Sequence, residues 1–143
     1  MEARRPRVMV VDDSAFMRKV ISSTISKKGI ENIIEAEKGE DAVRHYALQR
    51  PELVIMDLNL PGMSGLSALR EIKKIDPSAK ILVLSANSQR WTIYKAKEGG
   101  ASAYLSKPFI PEELWRTVLG LLGHMKEPIA VEQVTCGTSA VKT

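Results

Sequence analysis

The chain has 143 residues, of which 44% are hydrophobic and 27% are charged, and this suits a single domain with one real core. It contains no apolar run of the roughly 20 residues that span a bilayer, its first residues lack a secretory signal, and its one cysteine, Cys136, excludes an intrachain disulfide. The net charge of +4 comes from scattered bases, so we expect a cytoplasmic protein that binds neither a membrane nor nucleic acid directly.

Apolar runs typical of strands alternate with helical patterns along the chain. In chain order the predicted elements are a strand at Arg7–Val11, a helix opened by Asp12-Asp13-Ser14 and ended by Gly29, a strand at Asn32–Ala36, a helix at Gly39–Arg50, a strand at Leu53–Asp57, a helix at Leu66–Ile75, a strand at Lys80–Ser85, a helix over residues 89–98, a strand at Ala103–Leu105 and a helix from Pro111 to about Met125.

This alternation determines the predicted fold class. Strand and helix repeat five times, which indicates an α/β fold with a doubly wound, five-stranded parallel sheet and helices on both faces. Strands buried on both faces read as continuous apolar runs, as LVIM before Asp57 does. We predict one domain over residues 1–125, followed by a tail, residues 126–143, that has no strong periodicity and no evident role.

Polar side chains stand at the ends of the predicted strands. They are Asp12 and Asp13 after the first strand, Asp57 at the end of the third, Ser85 at the end of the fourth, and Lys107 after the fifth. In an open α/β sheet, ligands bind beyond the carboxyl ends of the strands. We therefore expect these side chains to converge at one edge of the sheet.

Such a group of side chains indicates a metal ion and a phosphoryl group. Crowded carboxylates repel one another, and Mg²⁺ relieves that repulsion because it prefers oxygen ligands and keeps positions open for water or phosphate. The amine of Lys107 beside them suggests a further anion, which the Ser85 hydroxyl can contact. Taken singly, each residue has a structural explanation as a helix cap, a turn residue or a surface lysine. Their shared position at strand ends favours a common site.

Four stretches of the sequence resemble those of a known family. VMVVDDSAFMR, LVIMDLNLPGMSGL, ILVLSA and GGASAYLSKPF have the order and spacing found in the receiver domain of two-component response regulators, specifically the stand-alone chemotaxis (CheY-like) type. The resemblance spans about Arg7 to Met125 and implies a flavodoxin-like (βα)5 fold with strand order 2-1-3-4-5. It implies a signalling domain, not an enzyme in the usual sense, although receivers can catalyse their own phosphorylation from small donors and their own dephosphorylation.

The resemblance assigns roles in phosphoryl transfer and switching. Asp57 matches the phosphoacceptor, which takes a phosphoryl group from the phosphohistidine of a sensor histidine kinase or a phosphotransfer protein. Lys107 matches the lysine that pairs with the phosphoryl group, and Ser85 matches the switch hydroxyl. Tyr104 matches the aromatic switch position, and the bond between Lys107 and Pro108 matches a peptide bond that is usually cis.

The resemblance also assigns the metal ligands. Asp13 is expected closest to Mg²⁺, and Asp12 is expected to help through a water molecule. Asp57 and the backbone carbonyl of Asn59 complete the implied set, with Mn²⁺ as an alternative ion. Side chains at Asn59 and Asn87 flank the site, where receivers tune the lifetime of the phosphoryl group.

Aromatic residues cluster late in the chain. Trp91, Tyr94, Tyr104, Phe109 and Trp115 lie on the predicted fourth helix, fifth strand and fifth helix or between them. In receivers this face contacts an effector or a second receiver, and Tyr and Trp are favoured interface anchors. We assign Tyr104, Trp91, Tyr94 and Trp115 to a switch and partner face, which would serve an effector such as a flagellar motor component, or a homodimer. The alternative is that several of them fill the core, as we expect for Phe109.

The fifth helix carries an apolar stripe wider than one sheet face requires. Two explanations suggest themselves, a dimer through this helix or a tail folded over it.

Three other classes of protein share some of these features. A haloacid-dehalogenase phosphatase needs a second acid two residues after its Asp nucleophile, where this chain has Asn59 after Asp57 and Ser14 after Asp12. A flavodoxin-like flavin domain needs a phosphate loop that VDDSAFMR would not provide, because its carboxylates repel phosphate. The third alternative is the receiver fragment of a larger regulator with a DNA-binding or methylesterase output domain.

Overall fold

The structure is a computed structural model that describes residues 6–87 and 89–123. In chain order its elements are β1 (Arg7–Val11), α1 (Ala15–Ser26), β2 (Asn32–Ala36), α2 (Gly39–Gln49), β3 (Leu53–Asp57), α3 (Gly65–Ile75), β4 (Ile81–Ser85), α4 (Arg90–Glu98), β5 (Ala103–Ser106) and α5 (Pro111–Leu122). The predicted alternation is confirmed: β1, β2 and β3 have the predicted bounds, and the other elements differ by up to three residues at an end. The predicted tail, and Met125 at the predicted end of the fifth helix, lie outside the described residues.

The strands form one parallel sheet in the order β2-β1-β3-β4-β5, so the predicted fold class and strand order are confirmed. Every residue of β3 and β4 is buried, as expected for strands that are covered on both faces. The chain winds from β1 to one side through β2 and then to the other through β3. The carboxyl ends of β1 and β3 therefore border the crevice in which sheets of this kind bind ligands.

Each face of the sheet has its own core. Alternate residues of a strand point to opposite faces, so Met9 and Val11 of β1 join one core, and Val8 and Val10 join the other. The first core is completed by α2, α3 and α4, and the second by α1 and α5. Packing on both faces holds the strands in register, and the register decides which residues meet at the sheet edge.

Helix α5 corrects one expectation from the sequence and bears on another. Its apolar residues lie in or against the second core: Leu114, Trp115, Val118, Leu119, Leu121 and Leu122. The side chain of Trp115 is only 7% exposed, so it does not present its ring to a partner as predicted. The width of the apolar stripe reflects packing against both the sheet and α1. A dimer through this helix stays a prediction, and the predicted tail lies outside the described residues.

Tyr46 of α2 forms a hydrogen bond to the turn between α3 and β4, near the amino ends of the strands. Its hydroxyl donates to Asp76 Oδ2 at 2.8 Å, and the guanidinium of Arg50 lies 5.8 Å from the centre of its ring. Burial and the neighbouring Asp76 raise the pKa of the Tyr46 hydroxyl above its ordinary value. The hydrogen bond to Tyr46, together with one from the Ser78 backbone N–H, lowers the pKa of Asp76.

Replacing Tyr46 by Phe should lower the free energy of unfolding by about 1 kcal/mol near pH 7, because one hydrogen bond is lost from a buried ring. The raised pKa of Tyr46 favours the neutral hydroxyl in the folded state. The difference in free energy of unfolding between wild type and Tyr46→Phe should therefore be fully present below about pH 10 and should shrink as the pH rises further. Urea unfolding at several pH values measures this. The control is Tyr94→Phe on α4, where the ring is 59% exposed and little change is expected. Equal losses in the two variants would contradict the assignment.

Candidate functional site

Four strands deliver a polar side chain to one edge of the sheet. Asp12 follows β1, Asp57 and Ser85 are the last residues of β3 and β4, and Lys107 follows β5. Asp12, Asp57 and Ser85 are only 2%, 6% and 0% exposed. Burial of a polar group costs free energy unless the group has a hydrogen-bond partner, so the partners of these side chains show how the site is stabilised.

The ammonium of Lys107 joins two of these strand ends. Its Nζ donates to Asp12 Oδ2 at 2.8 Å and to Asp57 Oδ2 at 3.3 Å. The backbone N–H of Lys107 donates to the carbonyl of Ser85 at 2.9 Å, which fixes the start of this segment beside β4. The peptide bond between Lys107 and Pro108 is cis, as the sequence predicted. One cation is thus shared by two buried carboxylates.

The carboxylate of Asp57 is held at both oxygens. The backbone N–H of Asn59 donates to Oδ1 at 3.1 Å, while Lys107 contacts Oδ2. Burial raises the pKa of Asp57, and the charge of Asp12 adds to that rise, although the Asn59 N–H and the Lys107 ammonium oppose it. Burial alone would lower the pKa of Lys107, but Asp12 and Asp57 outweigh it, and the net effect is a raised pKa. The ammonium of Lys107 therefore only partly offsets the effect of burial on the pKa of Asp57.

The turn after Asp57 depends on Gly65. A Cβ atom at this position would lie 2.4 Å from the Asp57 carbonyl oxygen and 2.5 Å from the Leu58 Cα. Only glycine lets the first residue of α3 approach the backbone so closely. The N–H of Gly65 also donates to the Leu58 carbonyl at 3.0 Å, which closes the turn between β3 and α3.

The loop after β1 places the acidic pair. Ser14 caps α1 by accepting from the Met17 N–H at 3.1 Å, and its own N–H donates to Asp12 Oδ1 at 2.9 Å. Asp13, between them, is exposed. This arrangement holds the Asp12 carboxylate in a buried position and leaves that of Asp13 exposed to solvent.

Asp12, Asp13 and Asp57 each offer a carboxylate oxygen, and these oxygens lie within 4.8 Å of one another. Hard oxygen donors in a small group suit Mg²⁺ or Mn²⁺, which need only a few protein ligands. The raised pKa of Asp57 reflects burial and the nearby charge of Asp12, and a divalent cation would relieve both effects. The residues present therefore fit such an ion.

Ser85 and Tyr104 meet the same residue in the loop between β4 and α4. The N–H of Asn87 donates to Ser85 Oγ at 3.1 Å, and its carbonyl accepts a hydrogen bond from the Tyr104 hydroxyl. Tyr104 is partly buried against the first core. A continuous chain of hydrogen bonds therefore runs from the buried hydroxyl at the end of β4 to an aromatic residue of β5.

The remaining aromatics divide between surface and core. Trp91 and Tyr94 of α4 are 65% and 59% exposed, with the Lys95 ammonium 5.8 Å from the centre of the Trp91 ring. Phe109 packs partly buried against the second core, and Trp115 is buried in it. Two of the four residues that the sequence assigned to a partner face thus form an exposed aromatic pair.

Sequence reasoning missed the contacts of Arg18. Its Nη1 donates to the Asp12 carbonyl at 2.7 Å, and its Nε pairs with Glu35 Oε1 at 2.8 Å. Side chains in a helix point back towards its N-terminus, so a long cation one turn after the Ser14 cap could have been expected to reach this loop. Its pairing with Glu35, a residue to which the sequence gave no role, depends on the position of β2 beside β1.

The sequence matches a known protein family. The family described as the response regulator receiver domain matches residues 8–119. The chain belongs to the response regulator receiver family. The chemotaxis protein CheY of Thermotoga maritima is 44% identical to it over 108 residues, which cover 76% of this chain and 90% of that protein. CheY of Bacillus subtilis is 44% identical over 103 residues, covering 72% and 86%.

A solved structure supports the same assignment. The CheX–CheY–BeF3–Mg complex from Borrelia burgdorferi contains a chain that matches this receiver with a TM-score of 0.78 and 26% identity, covering 80% of this chain and 87% of that one. The family assignment decides against the haloacid-dehalogenase and flavodoxin alternatives. In the described part of the receiver, no helix is both long and apolar enough to cross a membrane.

Replacing Asp57 by Asn should raise the free energy of unfolding of the metal-free receiver at pH 7. A raised folded-state pKa favours the protonated carboxyl, so its contribution to stability is fully present only below the unfolded value of about 3.9 and is lost as the pH rises through the folded value. The neutral amide of Asn does not lose stability in this way. The difference in free energy of unfolding between Asp57→Asn and wild type should therefore become smaller as the pH falls towards 4. Urea unfolding in a chelator measures it.

The control is Asp41→Asn, because Asp41 lies at the start of α2 and pairs with Arg44 at 2.9 Å, so no gain is expected. A variant Asp57→Asn that is no more stable than wild type at pH 7 would contradict the electrostatic description of the site.

Proposed function

We propose that this receiver accepts a phosphoryl group on Asp57 from the phosphohistidine of a sensor kinase or phosphotransfer protein, and that the modification changes the α4-β5-α5 face for an effector. The observation that carries the proposal is the sharing of the Lys107 ammonium between the buried carboxylates of Asp12 and Asp57. Two relatives at 44% identity are chemotaxis proteins, which supports a role in a chemotaxis-type pathway. We expect the protein to act in the cytoplasm. A flagellar motor component is an effector consistent with that role.

The proposed chemistry uses the groups at this edge of the sheet. An oxygen of Asp57 attacks phosphorus, the P–N bond to the donor imidazole breaks, and the imidazole nitrogen leaves with the electron pair and takes up a proton. The product is an acyl phosphate. The transition state is loose and spreads charge over the phosphoryl oxygens, so fixed positive charge close to them is the main requirement. Lys107 supplies that charge, and the Asn59 N–H orients the nucleophile at its other oxygen.

The Mg²⁺ ion, or Mn²⁺ in its place, would be held by Asp13, Asp57 and the Asn59 carbonyl, and by Asp12 through a water molecule. When bound, such an ion neutralises charge on the carboxylates and on the phosphoryl oxygens. The close approach of the carboxylate oxygens of Asp12, Asp13 and Asp57 supports this set.

Phosphorylation would act on the surface through Ser85. Its oxygen already accepts from the Asn87 N–H, and its own hydroxyl proton can be donated to a phosphoryl oxygen. Movement of Ser85 would disturb Asn87, whose carbonyl holds the Tyr104 hydroxyl, and Tyr104 could then rotate inward. The equilibrium shifts only by the difference in interaction free energy between the two states. Trp91 and Tyr94, exposed on α4, would form the face that an effector, or a second receiver in a homodimer, reads.

Incubation with acetyl phosphate and Mg²⁺ tests the phosphoacceptor. The intact mass should rise by about 80 Da, the mass of one phosphoryl group. The rise should be absent in Asp57→Asn and in a chelator. Lys107→Ala should slow the reaction roughly a hundredfold, because one preorganised charge is lost from the transition state. Lys74→Ala, on the exposed side of α3, is the matched control and should react at the wild-type rate. No mass gain in folded wild-type protein, or an equal gain in Asp57→Asn, would contradict the proposal.

Replacing Trp91 by Ala should weaken effector binding at least tenfold while the rate of phosphorylation stays unchanged, because truncation of an interface anchor, often a Trp, typically costs about 2 kcal/mol or more. The measurement is the affinity of the phosphorylated variant for an effector that wild type captures only when phosphorylated. Leu48→Ala on α2 is the control, since Leu48 is 73% exposed and lies outside this face. Undiminished affinity of the Trp91→Ala variant would remove Trp91 from the interface.

A further inference from the structure

The backbone and side chain of Asp12 are held by four hydrogen bonds, and one of them comes from a charged side chain that has no part in the proposed chemistry. The Asp12 N–H donates to the Ala36 carbonyl at 3.1 Å, Oδ1 accepts from the Ser14 N–H at 2.9 Å, and Oδ2 accepts from Lys107 at 2.8 Å. The fourth bond, 2.7 Å long, runs from Arg18 Nη1 to the Asp12 carbonyl. A charged donor makes this bond stronger than an ordinary backbone contact.

This bond acts on Asp13 through covalent geometry. The carbonyl of Asp12 and the N–H of Asp13 belong to one rigid peptide plane. By holding the carbonyl, Arg18 fixes the orientation of that plane and so the direction in which Asp13 leaves the chain. Asp13 is the exposed member of the group whose oxygens lie within 4.8 Å of one another. Its position therefore depends more on the backbone than on packing of its side chain.

Arg18 is itself anchored on a neighbouring strand. Its Nε lies 2.8 Å from Glu35 Oε1, and Glu35 of β2 stands opposite Val10 of β1 in the sheet. The side chain of Arg18 is 16% exposed and that of Glu35 is 47% exposed, so the ion pair adds little to stability by itself. It orients the guanidinium, whose donors diverge towards two partners. Lysine presents its donors from a single nitrogen, so it could not reproduce the two separate nitrogens that contact Glu35 and Asp12.

We propose that Arg18 is a positioning residue for the acidic pair, and that the affinity of the receiver for Mg²⁺ depends on its hydrogen bond to the Asp12 carbonyl. The inference rests on the proposed function, because it takes Asp12 and Asp13 as groups that hold the ion. Two effects oppose each other. The positive charge of Arg18 repels a cation, whereas its hydrogen bond presents the ligands in the right place, and the proposal is that positioning prevails.

Mg²⁺ titration by calorimetry tests the inference on wild type, Arg18→Ala, Arg18→Lys and Glu35→Gln. Loss of a residue that orients ligands typically weakens metal binding by about tenfold or more, and we expect this for Arg18→Ala. Arg18→Lys keeps the charge but loses the fork of donors, so it should be weakened to a similar degree. Glu35→Gln should lose less affinity for Mg²⁺, because the hydrogen bond from Arg18 to the Asp12 carbonyl remains. Arg44→Ala, which removes another arginine with an acidic partner from the surface, should bind as wild type.

A second readout separates positioning from folding. Phosphorylation of Arg18→Lys by acetyl phosphate should be slow at low Mg²⁺ and recover to near the wild-type rate at saturating Mg²⁺. An Arg18 with only a structural role would lower the urea midpoint of the metal-free protein and leave the Mg²⁺ dissociation constant unchanged, and that result would overturn the inference, as would tighter binding by Arg18→Ala. If Arg18→Ala does not fold, Arg18→Lys decides the question alone. A folded wild type that binds no Mg²⁺ would overturn the proposed function and this inference together.

Discussion

The ammonium of Lys107, shared between Asp12 Oδ2 at 2.8 Å and Asp57 Oδ2 at 3.3 Å, is the interaction on which the rest of the site depends. Two carboxylates that are nearly inaccessible to water lose their hydration and repel each other, a combination that is tolerated only beside a well-placed cation. Strand order makes the pairing possible, because β1 and β3 are neighbours and β5 returns the chain to the same edge beyond β4. The fold therefore assembles one charged centre from three distant parts of the sequence.

One lysine does not fully compensate this centre, and the imbalance suits its proposed role. Burial leaves Asp57 with a raised pKa even though Lys107 and the Asn59 N–H both favour its ionised form. Further positive charge, or a reaction that converts the carboxylate into an acyl phosphate, would change the balance of the site. Ser85, Asn87 and Tyr104 form a connected path of hydrogen bonds from this edge towards the surface near α4. This path leads towards α4, which carries the exposed side chains of Trp91 and Tyr94.

Much of the fold and part of the site could be predicted from the sequence for clear physical reasons. Strands buried on both faces read as apolar runs, and the residues at their ends must share one edge, which is why Asp12, Asp57 and Lys107 could be grouped. Trp115 could not be placed correctly, since helical periodicity shows that it shares a stripe but not how much of that stripe α1 and the sheet cover. The contact between Arg18 and Glu35 joins a helix to an edge strand, and it depends on a register that no local pattern encodes.

The central claim is that Asp57, rather than either acid of the neighbouring pair, carries the phosphoryl group. Borohydride reduction of the phosphorylated receiver tests it most directly, because it converts an aspartyl phosphate into homoserine, which tandem mass spectrometry locates within the sequence. The account predicts homoserine at position 57 alone, in an amount that depends on Mg²⁺. Homoserine at position 12 or 13, or none after a phosphoryl group has been shown to be attached, would contradict it.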